Sequence, residues 1–334
     1  MQTVPLADTG RQTTHLGFGC STLMGATGRR DSLRLLETAY DAGIRHFDVA
    51  PIYGYAEAET CLGEFLQRHR SDITVATKFG IASPKNSTLI KTGRRIASPI
   101  LKKIPGLKKS LAHAANAATR NHARPAFTAA EAKATLHRSL ATLRTDRIDL
   151  WLLHEAEAGD LNDPNLLDLL QSELQHGTIG SFGIGSSAEK IPTLLAERPA
   201  YCRTLQHEWS ILDDILNYPT SDAAIRPIPP FRIHHRALTY NLRALHATLV
   251  CNKPLCKRWS ESINTDLSQP QALASLMLKA ALVMNPSSIV LFSSKNPQHI
   301  RANAQIAADS TLEAPARRLY HLVQSERAQL ASNL

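Results

Sequence analysis

Short, continuous apolar runs alternate along this chain with longer stretches in which apolar residues recur every three to four positions. The runs are HLGFGC, IRHFDV, ITVATK, IDLWLLH, SFGIG, TLQHE, FRIHH and SSIVLFS. Each has the length of a strand, and the stretches between them have the period of amphipathic helices. In DSLRLLETAYDAG, residues Leu33, Leu36, Ala39 and Tyr40 recur at helical spacing, and Gly43 closes the helix. TAAEAKATLHRSLATL opens on Thr128 and Glu131, a capping-box pattern. NDPNLLDLLQSELQHG stops at Gly177, and SQPQALASLMLKAALVM carries Pro270 in its first turn, where a missing N–H costs nothing. A last helix, NPQHIRANAQIAA, follows the eighth run, and helix-forming residues trail behind it.

Eight strand candidates, most followed by a helix, predict an α/β protein: a (β/α)₈ TIM barrel or a doubly wound sheet. No linker rich in Gly, Ser or Pro divides the chain, so residues 1–334 are expected to form a single domain. Two long loops, 80–127 and 236–265, are read as irregular excursions after strands three and seven. In a barrel, active sites are built from such loops at the C-terminal ends of strands.

Composition narrows the function classes. At 334 residues with 43% hydrophobic content, the chain can bury a full core. Nothing approaches the roughly 18 consecutive apolar residues of a membrane span, and MQTVPLADTGRQTTH lacks the apolar stretch of a signal peptide. Five scattered Cys without a CxxC pair read as reduced thiols of a cytoplasmic protein. The net charge of +9 is concentrated in one place: between Phe79 and Ala130 there is no Asp or Glu, while Lys and Arg recur from Lys85 to Arg124. This basic insertion at 80–127 reads as a solvated excursion, as a flap over an anionic substrate, or as a patch for a membrane surface or nucleic acid. Phe79 and Phe127, at its ends, are its only aromatics, which argues against a nucleic-acid stacking platform.

Four residues suggest chemistry. Asp48, Tyr53, Lys78 and His154 lie at or just after the ends of apolar runs, in HFDVAPIYG, ITVATKFG and DLWLLHEAE. Taken singly they have ordinary readings: a turn carboxylate, a loop-packing ring, a solvated amine, a core imidazole. Together, at the ends of successive strands, they can deliver a proton to a carbonyl oxygen while another group delivers a hydride. A phenol with a pKa of about 10 is a reluctant donor. Lys78 would favour its phenolate, Asp48 would hold Lys78 charged, and His154 would fix the carbonyl. A second physical signal follows the eighth run. Ser293, Ser294 and Lys295 precede Asn296, a good N-cap, and Pro297; free N–H groups at a helix start favour a phosphate.

With these segments in view, FDVAPIYGYAEAETCLGEFL, VATKFG, IDLWLLHE, GTIGSFGIGSS, LQHEWS and LFSSKNPQHIRANAQ resemble the aldo-keto reductase superfamily, from about His15 to Ala308. The resemblance implies a (β/α)₈ barrel, NADP(H) as usual cofactor with NAD(H) as the alternative, no metal, and Asp48, Tyr53, Lys78 and His154 as the catalytic tetrad. It also implies a cofactor site. Ser186 stands where the family has the Asn that binds the carboxamide, and Gln206 matches the second carboxamide ligand. His235 replaces a stacking aromatic, Arg236 faces the pyrophosphate, and Leu238 follows. Of the family's usual basic positions, His299 stands where Arg is common and Asn303 is retained; Lys295, at the helix start, could read the 2′-phosphate. The basic first loop, with Arg258 and Trp259 in the second, points to a polar or anionic substrate such as a sugar derivative.

The expected function is reduction of an aldehyde or ketone, or the reverse oxidation of a sugar or alcohol. One rival is a cofactor-binding regulatory adaptor with little turnover, suggested by the substituted Ser186 and His235. Another is a Rossmann-type dehydrogenase, because Gly183-x-Gly185-x-x-Ala188 followed by Glu208 mimics a dinucleotide fingerprint.

Overall fold

The computed structural model describes residues 1–25, 27–81, 125–213 and 229–331. It begins with an antiparallel hairpin, β1 (Thr3–Pro5) and β2 (Gln12–Thr14). Eight parallel strands then close into a barrel: β3 (Leu16–Gly19), β4 (His46–Asp48), β5 (Thr74–Phe79), β6 (Ile148–His154), β7 (Ile179–Gly185), β8 (Thr204–Glu208), β9 (Phe231–His235) and β10 (Ser288–Phe292). β10 pairs with both β9 and β3, which completes the ring. Each of the eight apolar runs supplies one barrel strand. Most are largely apolar because a barrel strand is covered on both faces, by the barrel interior and by the helices; β8 and β9 carry more polar residues.

Among the described residues, the α-helices longer than one turn are α1 (Arg29–Asp41), α2 (Ala58–His69), α3 (Ala129–Leu143), α4 (Pro164–Gln175), α5 (Ile191–Glu197), α6 (Asn241–Cys251), α7 (Lys253–Ile263), α8 (Pro270–Met284), α9 (Pro297–Ala308), α10 (Glu313–Ser325) and α11 (Arg327–Ala331). Thr128 accepts from the Glu131 N–H at the start of α3, and Pro270 sits in the first turn of α8, as the sequence signals require. Among the described residues, no helix is long and apolar enough to cross a membrane.

The hairpin plugs the N-terminal end of the barrel. Val4 and Leu6 are buried and pack with Ala76, Leu150, Leu152, Ile233, Ile289 and Leu291, the apolar lining of the barrel interior. Burying each such side chain contributes about 1.5–3 kcal/mol. Polar bonds fix the plug: the Thr13 and Thr74 hydroxyls are 2.7 Å apart, and the Arg45 N–H donates to Thr14 Oγ1 at 2.9 Å. Asp149, on β6 and 2% exposed, anchors the turn of the hairpin from below. It pairs with Arg11, lies 3.0 Å from the Arg70 guanidinium, and accepts the Val75 N–H at 2.7 Å.

Two sequence readings need correction. The 236–265 stretch is helical: α6 and α7 fill most of it. Asn252 caps α7 by accepting the Leu255 N–H at 3.1 Å, with Pro254 in the first turn and Asn264 ending the helix in the left-handed region. The doubly wound rival is excluded by barrel closure. Gly183 is not part of a phosphate loop; a Cβ there would lie 2.0 Å from the Thr204 carbonyl oxygen, so close approach of β7 to β8 demands glycine. Residues 82–124 of the basic insertion and residues 214–228 lie outside the described residues.

Buried histidines make the fold acid-sensitive. Among the described residues, neither ring nitrogen of His234 finds a hydrogen-bond partner, and its ring lies 4.9 Å from that of His207 and 5.8 Å from that of Trp209. Burial pushes His234 well below the ordinary histidine value and His46 down to about 4. The unfolded chain takes up these protons near pH 6.5, and the folded chain does not until lower pH. Stability is therefore full above that value and falls as pH drops from about 6.5 toward 4. The thermal midpoint should decline over that window. His234→Leu should raise stability at pH 7 by about 1–3 kcal/mol, because it removes two unmet polar atoms. A flat pH profile in the wild type would contradict this.

Candidate active site

Asp48, Lys78 and His154 stand at the C-terminal ends of three consecutive strands, β4, β5 and β6. The Lys78 Nζ donates to Asp48 Oδ1 at 2.7 Å and to the Val49 carbonyl at 3.0 Å. The other Asp48 oxygen accepts from Gln206 Nε2 at 2.9 Å. Asp48, Lys78 and Gln206 are buried, and His154 is half-buried. Tyr53 comes from the loop after β4: its ring centroid is 5.3 Å from Lys78 Nζ and 6.3 Å from the His154 ring, which meets it edge-on at 88°. The four residues singled out from the sequence thus converge at one end of the barrel.

The backbone after Tyr53 is unusual. Gly54, Tyr55 and Ala56 have φ of +59°, +60° and +65°, three consecutive left-handed residues. Each non-glycine residue there costs roughly 1–2 kcal/mol. At Gly54 there is a second constraint: a Cβ would lie 2.4 Å from the Leu23 carbonyl oxygen. The turn is pressed against the segment after β3, so Tyr53 is held by packed backbone rather than by a free loop.

The electrostatics separate the roles. Burial opposes the Lys78 ammonium, but Asp48 and Tyr53 outweigh it and leave Lys78 above the ordinary lysine value. Burial raises the Tyr53 phenol, and Lys78 only partly offsets this. The sequence suggested that Lys78 would dominate; in the structure desolvation does. Burial and Lys78 push His154 down to about 3, so its imidazole is neutral near pH 7. His235, ending β9, is pushed to about 4, first by burial and then by Arg236.

The residues expected to hold a cofactor surround this group unevenly. Ser186 is buried; its hydroxyl donates to the Ala156 carbonyl at 3.1 Å, and its N–H donates to the Gln206 carbonyl at 3.0 Å. Gln206 belongs to the Asp48 network, a link no spacing argument could show. His235 pairs in register with Glu208 at the barrel mouth, and Arg236 is exposed with φ of +61°. Leu238 packs on the core. On the far side, Ser293 Oγ donates to the Gly19 carbonyl at 2.7 Å, and Ser294 Oγ accepts the Asn296 N–H at 3.1 Å. Asn296 caps α9 through the Gln298 N–H at 2.9 Å. Lys295 and His299 are exposed beside that helix start, and Asn303 is half-buried in α9. Arg258 and Trp259 do not face this site. Arg258 makes two bonds to Glu326, at 2.7 and 2.6 Å, and Trp259 donates to the same carboxylate at 3.0 Å, because α7 packs against α10 and the turn after it.

Bare backbone borders the mouth. A Cβ on Gly185 would lie 3.2 Å from Gln206 Oε1 and 4.0 Å from Lys78 Cε; one on Gly19 would lie 2.7 Å from Ser293 Oγ. Amide, hydroxyl and imidazole groups stand near the tetrad, and a cation stands at the start of a twelve-residue helix. This donor set fits a nicotinamide dinucleotide.

Barrel and site together define a (β/α)₈ protein with an ammonium, a phenol and an imidazole gathered around a buried carboxylate. The sequence model of the Aldo/keto reductase family matches residues 15–314, and the chain belongs to that family of oxidoreductases. Among curated relatives, it is 31% identical over 177 residues to D-threo-aldose 1-dehydrogenase from a Pseudomonas species, covering 51% of this chain and 49% of that protein. It is 41% identical over 78 residues to pyridoxal 4-dehydrogenase from Microbacterium luteolum, covering 22% and 23%. These matches therefore span between about a quarter and half of the relatives' length. Among solved structures, an aldo-keto reductase from Bacillus halodurans superposes with a TM-score of 0.66 at 18% identity, covering 96% of both chains. A glycerol dehydrogenase from Gluconobacter oxydans gives 0.64 at 16% identity, covering 96% and 94%. At such identities these structures speak for the fold.

Proposed function

We propose that this chain is a nicotinamide-dependent oxidoreductase that interconverts an aldehyde or ketone with its alcohol, with Tyr53 as the acid–base residue. The observation that supports it best is the buried Lys78 ammonium, held by Asp48 and the Val49 carbonyl with the Tyr53 and His154 rings adjoining it. When bound, the nicotinamide supplies or accepts the hydride. The protein's part is to meet the charge that develops on the oxygen. Tyr53, kept protonated by burial, gives its phenolic proton to that oxygen. Lys78 stabilises the phenolate left behind, and Asp48, itself braced by Gln206, keeps Lys78 charged and aimed. His154, neutral, offers an N–H that orients the carbonyl without adding a second positive charge beside Lys78. In the oxidative direction the same phenolate takes the proton from the alcohol.

Ser186, Gln206 and His235 would hold the nicotinamide end, with Arg236 and Leu238 beside it. Ser293, Ser294, Lys295, Asn296, His299 and Asn303 would hold the phosphates. NADP(H) is the proposed cofactor, with Lys295 reading the 2′-phosphate. Lys295→Ala should weaken NADPH by about tenfold, the loss of one charge-assisted contact, and leave NADH nearly unchanged. Equal losses in a fluorescence titration of both cofactors would remove Lys295 from this role.

The substrate proposed is a small polar carbonyl or sugar. Relatives named as dehydrogenases of a D-threo-aldose and of pyridoxal support that class. The described cysteines are free, and all but Cys251 are buried, which suits a reducing cytoplasm. A screen of aldehydes, ketones and sugars with both cofactors, followed by nicotinamide absorbance, tests the reading. Tight NADPH binding without turnover of any panel member would favour a regulatory adaptor instead.

A further inference from the structure

A second buried carboxylate lies behind Lys78, on the outer face of β5. Glu59 occupies the first turn of α2 and is 6% exposed. Its Oε1 accepts the Thr77 hydroxyl at 2.7 Å. Thr77 immediately precedes Lys78, so the two side chains point to opposite faces of the strand: Lys78 into the barrel toward Asp48, Thr77 outward toward α2. Thr77 is fully buried. Ser139 of α3, also buried, lies beside the same carboxyl. The surroundings are tightly packed. At Gly63, one turn further along α2, a Cβ would lie 2.4 Å from the Thr142 carbonyl oxygen of α3.

Stability alone does not explain a carboxyl in that place. Burial raises its pKa, which measures an unfavourable setting for the charge. Well-packed apolar side chains in such positions are often neutral or stabilising by comparison. The location is informative. α2 begins two residues after the left-handed turn that carries Tyr53, and β5 carries Lys78. A bond from α2 to Thr77 ties the support of the phenol to the support of the ammonium. Resting on the carbonyl-reductase reading above, we propose that Glu59 is a positioning residue that, through Thr77 on the outer face of β5, fixes the separation of Lys78 from Tyr53.

The test uses the full chain and three variants, Thr77→Val, Glu59→Leu and Glu59→Gln. Steady-state reduction should show kcat lowered by about tenfold to 100-fold in Thr77→Val and Glu59→Leu, as expected for a small displacement of a catalytic pair. The substrate KM and the NADPH dissociation constant should stay within about twofold, since no binding group is altered. Glu59→Gln, which keeps an acceptor for Thr77, should recover most of the loss. Combining Thr77→Val with Glu59→Leu should cost no more than either alone. If Glu59→Leu does not fold, Thr77→Val and Glu59→Gln decide the matter.

A second readout needs no turnover. Because Lys78 lowers the Tyr53 phenol while burial raises it, displacing Lys78 should delay the onset of Tyr53 ionisation to higher pH. This is visible in a ¹³C-tyrosine NMR titration, with the resonance assigned through Tyr53→Phe. Thr77→Val should show that delay and Glu59→Gln should not. An unshifted Tyr53 titration in Thr77→Val would overturn the proposal, as would unchanged kcat in Thr77→Val and Glu59→Leu when both are folded. Failure of the wild type to turn over any carbonyl, with the NMR shift present, would instead sink the enzymatic reading and leave the positioning role standing.

Discussion

Tyr53→Phe removes one oxygen atom and should lower turnover by roughly 10²–10⁴-fold, the usual contribution of a placed general acid. The ring that packs edge-on against His154 stays, and the Gly54–Ala56 turn stays, so cofactor affinity should change by less than about twofold. The loss should appear in kcat and kcat/KM together, because the proton is needed only in the transition state. Changes elsewhere in the network should behave differently. Lys78→Met leaves Asp48 buried with Gln206 as its remaining side-chain partner, so it should lower stability as well as turnover. A Tyr53→Phe enzyme with wild-type turnover would show that another group moves the proton.

Asp149→Ala should cost about 3 kcal/mol of folding stability, because it strands two half-buried guanidinium groups and a buried N–H. Arg11 reaches this carboxylate from the hairpin, Arg70 from the end of α2, and the Val75 N–H donates to it from β5. One side chain thus joins the plug, the helix layer and the barrel. Arg70 already sits below the usual arginine value, first because it is buried, with Asp149 pulling the other way. Removing the carboxylate leaves the burial without its compensation. Urea unfolding gives the number directly, and a loss under about 1 kcal/mol would mean that water replaces the pair. The site lies at the opposite end of the barrel from Lys78. Turnover measured where the variant is folded should therefore remain close to the wild-type value.

The contrast between these two residues shows what the sequence could disclose. Tyr53, Asp48, Lys78 and His154 are legible because strand ends in a parallel barrel all face one side. Four reactive side chains after successive apolar runs must therefore meet. The eight strands are legible for a related reason, being apolar enough to stand out. Asp149 sits inside one of those runs, IDLWLLH, yet its partners Arg11 and Arg70 lie far away in sequence, and nothing in spacing connects them. The hairpin of β1 and β2 escaped because strands of three residues, most of them polar, have no periodic signal. α6 and α7 were hidden by Asn252 and Pro254, which read as loop residues but serve as a cap and a first turn. Gly183 imitated a phosphate loop because a glycine demanded by strand contact looks like any other in sequence.

The grouping of side chains at the mouth of the barrel was legible, but their electrostatic balance was not. The residue types pointed to a phenol acid beside an ammonium. Which influence wins on Tyr53 depends on burial, and burial is a property of the packed turn against Leu23 and Met24. Arg258 and Trp259 show the reverse error: residues that look poised for a polar ligand are occupied by Glu326, more than sixty positions away.

The most direct measurement follows the hydride itself. NADPH deuterated at the transferring C4 position is incubated with the protein and a panel of small polar aldehydes, ketones and sugars, and the products are weighed by mass spectrometry. Deuterium should appear on the carbinol carbon of at least one product with the wild-type chain and be nearly absent with Tyr53→Phe. Saturating cofactor binding with no labelled alcohol from any carbonyl, or equal labelling by both proteins, would contradict the account.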